Sequence, residues 1–205
     1  MFSHARLRAA LLLALAPLLS GCLSSTTSIT LERSGAGSLG IDYEIDHAAW
    51  ETGVFDESDV ARPIPVTERE FRRAAEMIDG LDLERHRVEL PDRSDAEPVV
   101  RVRTRLRFDS TDALRRFLGV DSVTVEQDGG HGQFRMVVAR GDGAASAQEL
   151  ARSLERYSLR FELDPPAAIV EDTGRTLEGG DRSQFDVSLA DIVLAEAPIV
   201  WEVRW

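Results

Sequence analysis

The sequence predicts an α+β fold in which a mainly antiparallel sheet is covered on one face by about three amphipathic helices. Three observations predict it: segments with strand periodicity joined by glycine-containing turns, helix start signals between those segments, and an apolar stripe on each helix. Of the 205 residues, 28–205 are expected to form one domain. A chain of this size can bury a core of its own without disulfides or metal.

The N-terminus has the plan of an export signal. Arg6 and Arg8 precede an apolar run from Ala9 to Leu19, which is about half the ~20 residues that a membrane-spanning helix needs. The run leads directly into Leu-Ser-Gly-Cys, which ends at Cys22. We therefore predict a cleaved signal peptide over residues 1–21.

Leu-Ser-Gly-Cys resembles the lipobox of bacterial lipoproteins. The resemblance implies that Cys22 receives a diacylglyceryl group and acyl chains such as palmitate, and that a lipidated tether over 22–27 leads into the domain. Lipidation would also remove the unpaired thiol that an exported chain with one cysteine otherwise carries into an oxidising compartment. An ordinary secretory signal with a chance cysteine is the alternative. Because Leu23 stands where an inner-membrane lipoprotein usually has aspartate, we expect an envelope protein on the periplasmic face of the outer membrane.

The charge and cysteine content exclude several classes of protein. The chain has 24 Lys+Arg against 36 Asp+Glu, which gives a formal net charge of −12. Because nucleic-acid phosphates bind basic surfaces, this charge argues against a nucleic-acid-binding protein. A single cysteine excludes an internal disulfide framework and a thiolate zinc cluster. The expected partners are the membrane, through the lipid on Cys22, and a lipid or an envelope protein.

The domain opens with a predicted hairpin. From Ser38 to Asp46 apolar and polar residues alternate, and Ile29 and Leu31 begin the partner strand. Between them Ser34-Gly35-Ala36-Gly37 supplies the glycine that a hairpin turn requires. Further strands are predicted over 81–90, 98–108, 122–127, 133–140 and 158–163. A last strand carries four apolar residues on one face: Ile199, Trp201, Val203 and Trp205. We interpret that stripe as core, with the wall of a ligand cavity as the alternative.

Helix start signals stand at three places. Thr67 with Glu70, and Ser146 with Glu149, have the spacing of a capping box, and a shorter helix is predicted over 111–118. Each helix has one apolar face to bury.

The segment from 47 to 66 matches no regular element. It contains Trp50, Phe55 and several acidic residues and prolines. A loop of this length in a compact domain is either functional or irregularly packed. We therefore expect a lid or partner loop, or else irregular structure held by its aromatic residues.

The body of the chain resembles bacterial lipoproteins with an LppM-type extracytoplasmic domain. The resemblance rests on the lipobox, on the hairpin from Ser28 to Asp46, and on the closing Trp-Glu-Val-Arg-Trp over 201–205. It implies an envelope lipoprotein of lipid-related or unknown role, and it carries no catalytic residues over to this chain.

Four arginines recur at every second position of the predicted strand over 98–108: Arg101, Arg103, Arg105 and Arg107. A strand would place all four on one face. We interpret them as a solvated face whose charges are offset by neighbouring acidic residues such as Asp82, Glu89 or Glu162. The alternative is an anion site for phosphate or lipid headgroups, because the guanidinium fork matches phosphate oxygens.

No pattern points to catalysis, a cofactor or a metal. Asp172-Thr173-Gly174 matches the tripeptide of aspartic proteases but has no second copy, so we interpret it as a turn. His47, His86 and His131 lack metal-ligand spacing, and no Gly-x-Ser-x-Gly elbow occurs.

The function predicted from the sequence is therefore a noncatalytic lipoprotein module that binds an amphiphilic or hydrophobic ligand, or an envelope partner. An apolar cavity of a few hundred Å³ would favour the first of these. The alternative is a structural or assembly lipoprotein that acts through protein contacts, and a hydrolase comes third.

Overall fold

The protein is described by a computed structural model that covers residues 23–52, 65–92, 98–119, 121–128, 130–140 and 148–205. The predicted signal peptide over 1–21, Cys22, Phe55 and Ser146 lie outside these ranges. In the ranges described, no helix combines the length and apolar character that crossing a membrane requires.

The described residues form eleven strands and five helices. The strands are β1 (Leu23–Leu31), β2 (Gly37–Asp46), β3 (Leu81–Glu89), β4 (Val99–Phe108), β5 (Val123–Asp128), β6 (His131–Ala139), β7 (Ser158–Asp164), β8 (Glu171–Asp172), β9 (Arg175–Thr176), β10 (Ser183–Ser188) and β11 (Ile199–Arg204). The helices are α1 (His47–Glu51), α2 (Glu68–Met77), α3 (Thr111–Leu118), α4 (Gln148–Leu154) and α5 (Leu189–Leu194). The predicted α+β class is confirmed.

The arrangement of the strands differs from the single sheet expected. One sheet has seven strands in the order β3-β4-β2-β1-β7-β10-β9, and a second has four in the order β5-β6-β11-β8. All pairs are antiparallel except β1 with β7, which run parallel. The inner face of the large sheet is thus covered in part by a second sheet and not by helices alone, and five helices are described where about three were expected.

Strand periodicity decides which side chains enter the core. Along β4 the apolar residues are buried and the four arginines are exposed, as the sequence predicts. The two sheets meet where Trp201 of β11 packs against Phe161 of β7 and Phe185 of β10, with ring centroids 6.2 and 6.1 Å apart. Since Trp201 is fully buried, interpreting the last strand's stripe as core is correct.

The first strand begins earlier than expected. β1 starts at Leu23, which pairs with Ile45 of β2, so the described part of the expected tether over 22–27 lies in a strand. The turn after β1 contains Gly35 at φ +86°, the conformation that favours glycine there.

The predicted capping box at Thr67 and Glu70 is confirmed. Thr67 accepts a hydrogen bond from the Glu70 amide at 3.3 Å, and the Glu70 carboxylate accepts one from the Thr67 amide at 2.8 Å. The apolar face of α2 buries Phe71, whose ring stacks on Phe117 of α3 at 6.3 Å. These two helices therefore close one end of the core.

A helix occupies the start of the segment from 47 to 66. α1 begins after Asp46, whose side chain accepts hydrogen bonds from the amides of Ala48 and Ala49 at 2.8 and 3.2 Å. Trp50 of this helix packs against the core. The first part of the segment is therefore helix and not irregular loop, while residues 53–64 lie outside the described ranges.

Candidate functional site

An apolar cavity of about 430 Å³ lies between the inner face of the seven-stranded sheet and a wall made by α3, β5 and β6. This volume is within the range of small-molecule sites, roughly 300–1,000 Å³. Its lining is mostly apolar: Ser25, Thr27, Ile41, Tyr43, Pro65, Phe117, Leu118, Ser122, Val123, Met136, Val137, Val138, Leu159 and Phe161.

Small residues of β1 create the space on the sheet side. Thr27 pairs with Ile41 of β2 on one side and with Phe161 of β7 on the other, so the three lie in one row across the sheet. The next row has Ser25 at its centre, between Tyr43 and Leu159. In both rows a short hydroxyl side chain stands between larger neighbours, which leaves a trough along β1.

The opposite wall is built from apolar side chains of three elements. Phe117 and Leu118 come from the last turn of α3, Val123 begins β5, and Met136 and Val138 lie on β6. Methionine is flexible and polarisable, so this wall can adapt to an apolar ligand.

The polar groups at the cavity are neutral. The Tyr43 hydroxyl donates a hydrogen bond to the Pro65 carbonyl oxygen at 3.1 Å. Burial raises the pKa of Tyr43 well above its usual value, and the nearby Glu70 carboxylate acts in the same direction, so the phenol stays protonated. With no charged side chain among the described lining residues, the cavity suits the apolar body of a ligand.

The last strand does not line this cavity. Trp201 lies behind Phe161, whose side chain contacts Trp201 and also lines the cavity. The alternative interpretation of the tryptophan stripe, a cavity wall, is therefore not what the described residues show.

The opposite, outer face of the same sheet carries the predicted arginine strip. Arg101 lies 3.1 Å from the Glu44 carboxylate of β2, and Arg103 lies 3.3 Å from that of Glu89. Asp82 pairs in register with Arg107, as expected. The expected contribution of Glu162 is wrong, because β2 and β1 separate β7 from β4.

Two further arginines reach this face, and sequence reasoning missed them. Arg85 and Arg87 of β3 pair in register with Arg105 and Arg103 of β4. A bulge between Leu83 and Arg85 sets that register. The alternation of Arg85 and Arg87 with His86 indicates that the two arginines share one face of a strand. It does not indicate that β4 is the neighbouring strand.

The other residues considered as possible site residues lie in ordinary structural elements. The Asp172 side chain accepts hydrogen bonds from the Gly174 amide at 2.7 Å and the Thr176 hydroxyl at 3.0 Å, which is the turn expected. His131 begins β6, next to the β5–β6 turn, and His47 lies 3.9 Å from Glu51 on α1. Within the ranges that the structure describes, no group of three or more His, Cys, Asp or Glu residues could hold a metal ion.

His86 gives a testable pH dependence. Its Nδ1 lies 2.9 Å from the Thr104 hydroxyl, and partial burial lowers its pKa below 6.5, although Glu68 acts to raise it. Because the unfolded chain then binds the proton more readily, the free energy of unfolding should fall as the pH drops below about 6.5. Urea unfolding at about pH 7.5 and about pH 5.5 should show this loss in the natural protein and a smaller one in His86→Gln. Equal losses in both would assign the effect to other groups.

Comparison with solved structures finds similar folds, whereas comparison with families and curated sequences finds no match. The NMR structure of the folded domain of Mycobacterium tuberculosis LppM is similar, with 12% sequence identity over 89% of this chain and 88% of that chain and a TM-score of 0.47. That protein is an example of the LppM-type domain that the sequence motifs resemble.

Proposed function

We propose that this protein is a noncatalytic lipoprotein of the bacterial envelope that holds a hydrophobic or amphiphilic ligand in the cavity between its sheets. The observation that carries the proposal is the apolar cavity of about 430 Å³ with its neutral polar groups. The proposal includes lipid attachment at Cys22 and location on the periplasmic face of the outer membrane, for which the sequence motif is the support.

The lining determines which ligand chemistry fits. An alkyl chain that enters the cavity leaves water, which contributes roughly 0.8 kcal/mol per methylene. A charged headgroup would remain outside, because the described lining offers it no opposite charge. Affinity should therefore rise with alkyl chain length until the cavity is full.

Native mass spectrometry of the full chain, purified from an envelope fraction, tests this proposal when it is combined with lipid extraction. We expect a stoichiometric apolar or amphiphilic ligand that is retained by the natural protein and lost from Leu159→Trp. Leu159 lines the trough, so the indole ring would occupy the space of the ligand. A series of fatty acids of increasing length, added to the delipidated protein, should show the corresponding rise in affinity.

Leu90→Trp is the matched control. It introduces the same ring at a side chain that is 66% exposed and outside the cavity lining, so ligand retention should be unchanged. A ligand-free mass for the natural protein, or equal retention by Leu159→Trp, would contradict the proposal. Either result would favour the alternative, an assembly lipoprotein that acts through protein contacts.

A further inference from the structure

The outer face of the seven-stranded sheet contains a depression of about 300 Å³. Its floor is Gly40 of β2 beside Ser28 of β1, and its rim is formed by four arginines: Arg85, Arg87, Arg103 and Arg105. A Cβ atom at position 40 would lie only 2.5 Å from the Ser28 hydroxyl oxygen. The missing side chain of Gly40 is therefore what opens this space among larger neighbours.

Strand register places the arginines in a block of two by two. Arg105 stands between Arg85 on β3 and Gly40 on β2, and in the next row Arg103 pairs with Arg87. Like charges directly opposite each other on neighbouring strands destabilise a sheet. The fold thus carries a local electrostatic cost that a bound anion would remove.

Neighbouring carboxylates offset only part of this charge. The Glu89 carboxylate forms ion pairs with two of the arginines, Arg87 at 3.2 Å and Arg103 at 3.3 Å. No described carboxylate lies within ion-pair distance of Arg85 or Arg105. Asp42 lies in the depression, where partial burial raises its pKa while Arg103 and Arg105 act to lower it. Four guanidinium groups against two carboxylates leave a positive site in a chain whose formal net charge is −12.

We propose that this depression is a binding site for a phosphate group, a phosphomonoester or phosphodiester, held between Arg85 and Arg105. Guanidinium groups present paired donors that match phosphate oxygens, and the open position at Gly40 lets the anion approach the sheet. The site does not depend on the proposed function, since it lies on the opposite face of the sheet and shares no lining residue with the apolar cavity. The phosphate is that of a lipid headgroup or of a soluble compound.

Titration calorimetry on the full chain in nonionic detergent, at constant ionic strength, tests the site. The probes are inorganic phosphate, pyrophosphate and glycerophosphoglycerol, which is the headgroup of phosphatidylglycerol without the acyl chains that could enter the apolar cavity. Arg85→Gln combined with Arg105→Gln should weaken binding about tenfold or more, because it removes the two guanidinium groups that donate charge-assisted hydrogen bonds to the phosphate. Asp42→Asn should strengthen binding by about threefold or more, because it removes a negative charge from the site.

Arg160→Gln is the control for general surface attraction. Arg160 lies on β7 on the same outer face, but its guanidinium is held by Asp186 at 2.7 Å, so binding should be unchanged. Each variant changes an exposed or partly exposed side chain, and circular dichroism would show that the fold is kept. Tighter binding of glycerophosphoglycerol than of inorganic phosphate would identify a lipid headgroup, and the reverse would identify a soluble phosphate.

Three results would overturn the proposal: no binding of any of the three probes, equal weakening by Arg160→Gln, or no gain in Asp42→Asn. None of them bears on the cavity, which is tested through Leu159 and ligand retention. Failure of this site and failure of the proposed function are therefore distinguishable.

Discussion

Replacing Trp201 with alanine is expected to lower the free energy of unfolding by roughly 3–5 kcal/mol. The side chain is fully buried and packs on Phe134, Phe161 and Phe185, with ring centroids 5.2–6.2 Å away. Truncation removes the aromatic contacts of Trp201 between the two sheets and leaves a cavity that rigid strands cannot fill. Since the total stability of a domain is typically about 5–15 kcal/mol, a loss of this size should be plain in urea unfolding curves.

Ser183→Ala separates packing from hydrogen bonding at the same place. The Trp201 indole donates a hydrogen bond to the Ser183 hydroxyl at 3.0 Å, and removing the acceptor should cost about 1–3 kcal/mol. Trp201→Phe, which keeps an aromatic ring between the sheets, should lie between the two. A loss for Trp201→Ala no larger than that for Ser183→Ala would show that the contact between the sheets contributes little.

Replacing Gly37 with valine is expected to be the next most damaging change, with a loss of about 3 kcal/mol or more. Gly37 begins β2 and pairs with Leu31 on one side and Phe108 on the other. A Cβ atom there would collide with the Thr30 carbonyl oxygen and would lie 2.7 Å from the Phe108 ring. Because one obstacle is backbone, the hairpin itself must shift, and thermal unfolding followed by circular dichroism should show a much lower Tm.

Gly40→Val, on the same strand, is the matched comparison. The nearest obstacle to its new Cβ atom is the Ser28 hydroxyl, 2.5 Å away, and that side chain can rotate. We expect a much smaller drop in Tm than for Gly37→Val. Equal drops would mean that the close approach of Phe108 and Thr30 to Gly37 does not limit stability.

Local periodicity was enough to predict most elements of the fold. The alternation from Ser38 to Asp46 corresponds to β2, and the segment over 98–108 matches β4 to within one residue at its start. The capping box at Thr67 is confirmed, and the helix predicted over 111–118 has those bounds in the structure. These signals are local because each depends on residues within one or two turns of each other.

Pairing between distant segments could not be predicted in the same way. Nothing near Ser25 or Leu159 indicates that β1 and β7 run side by side, or that β5, β6, β8 and β11 form a sheet of their own. The helix α1 was also missed, because its five residues give too short a pattern and its only signal is the cap at Asp46.

The two candidate sites were predictable to different degrees. The spacing of Arg103 and Arg105 is enough to predict that both lie on the outer face of β4. Their alignment with Arg87 and Arg85 of β3 depends on the bulge after Leu83. The cavity arises because the short side chains of Ser25 and Thr27 lie beside larger residues of β2 and β7. That arrangement depends on tertiary pairing, and periodicity along β1 alone does not reveal it.

The central position of β1 also determines the order in which the sheet can be completed during synthesis. β2 follows β1 directly and pairs with it through a short turn, but the other edge of β1 pairs with Ser158–Asp164, which is made much later. Until that segment arrives, the row from Ser25 to Thr30 is an open edge, and open edges favour aggregation. Pairing of parallel strands that are far apart in the sequence is also slow, so we expect the docking of β7 to limit the folding rate. A chaperone should help most before β7 has paired with β1.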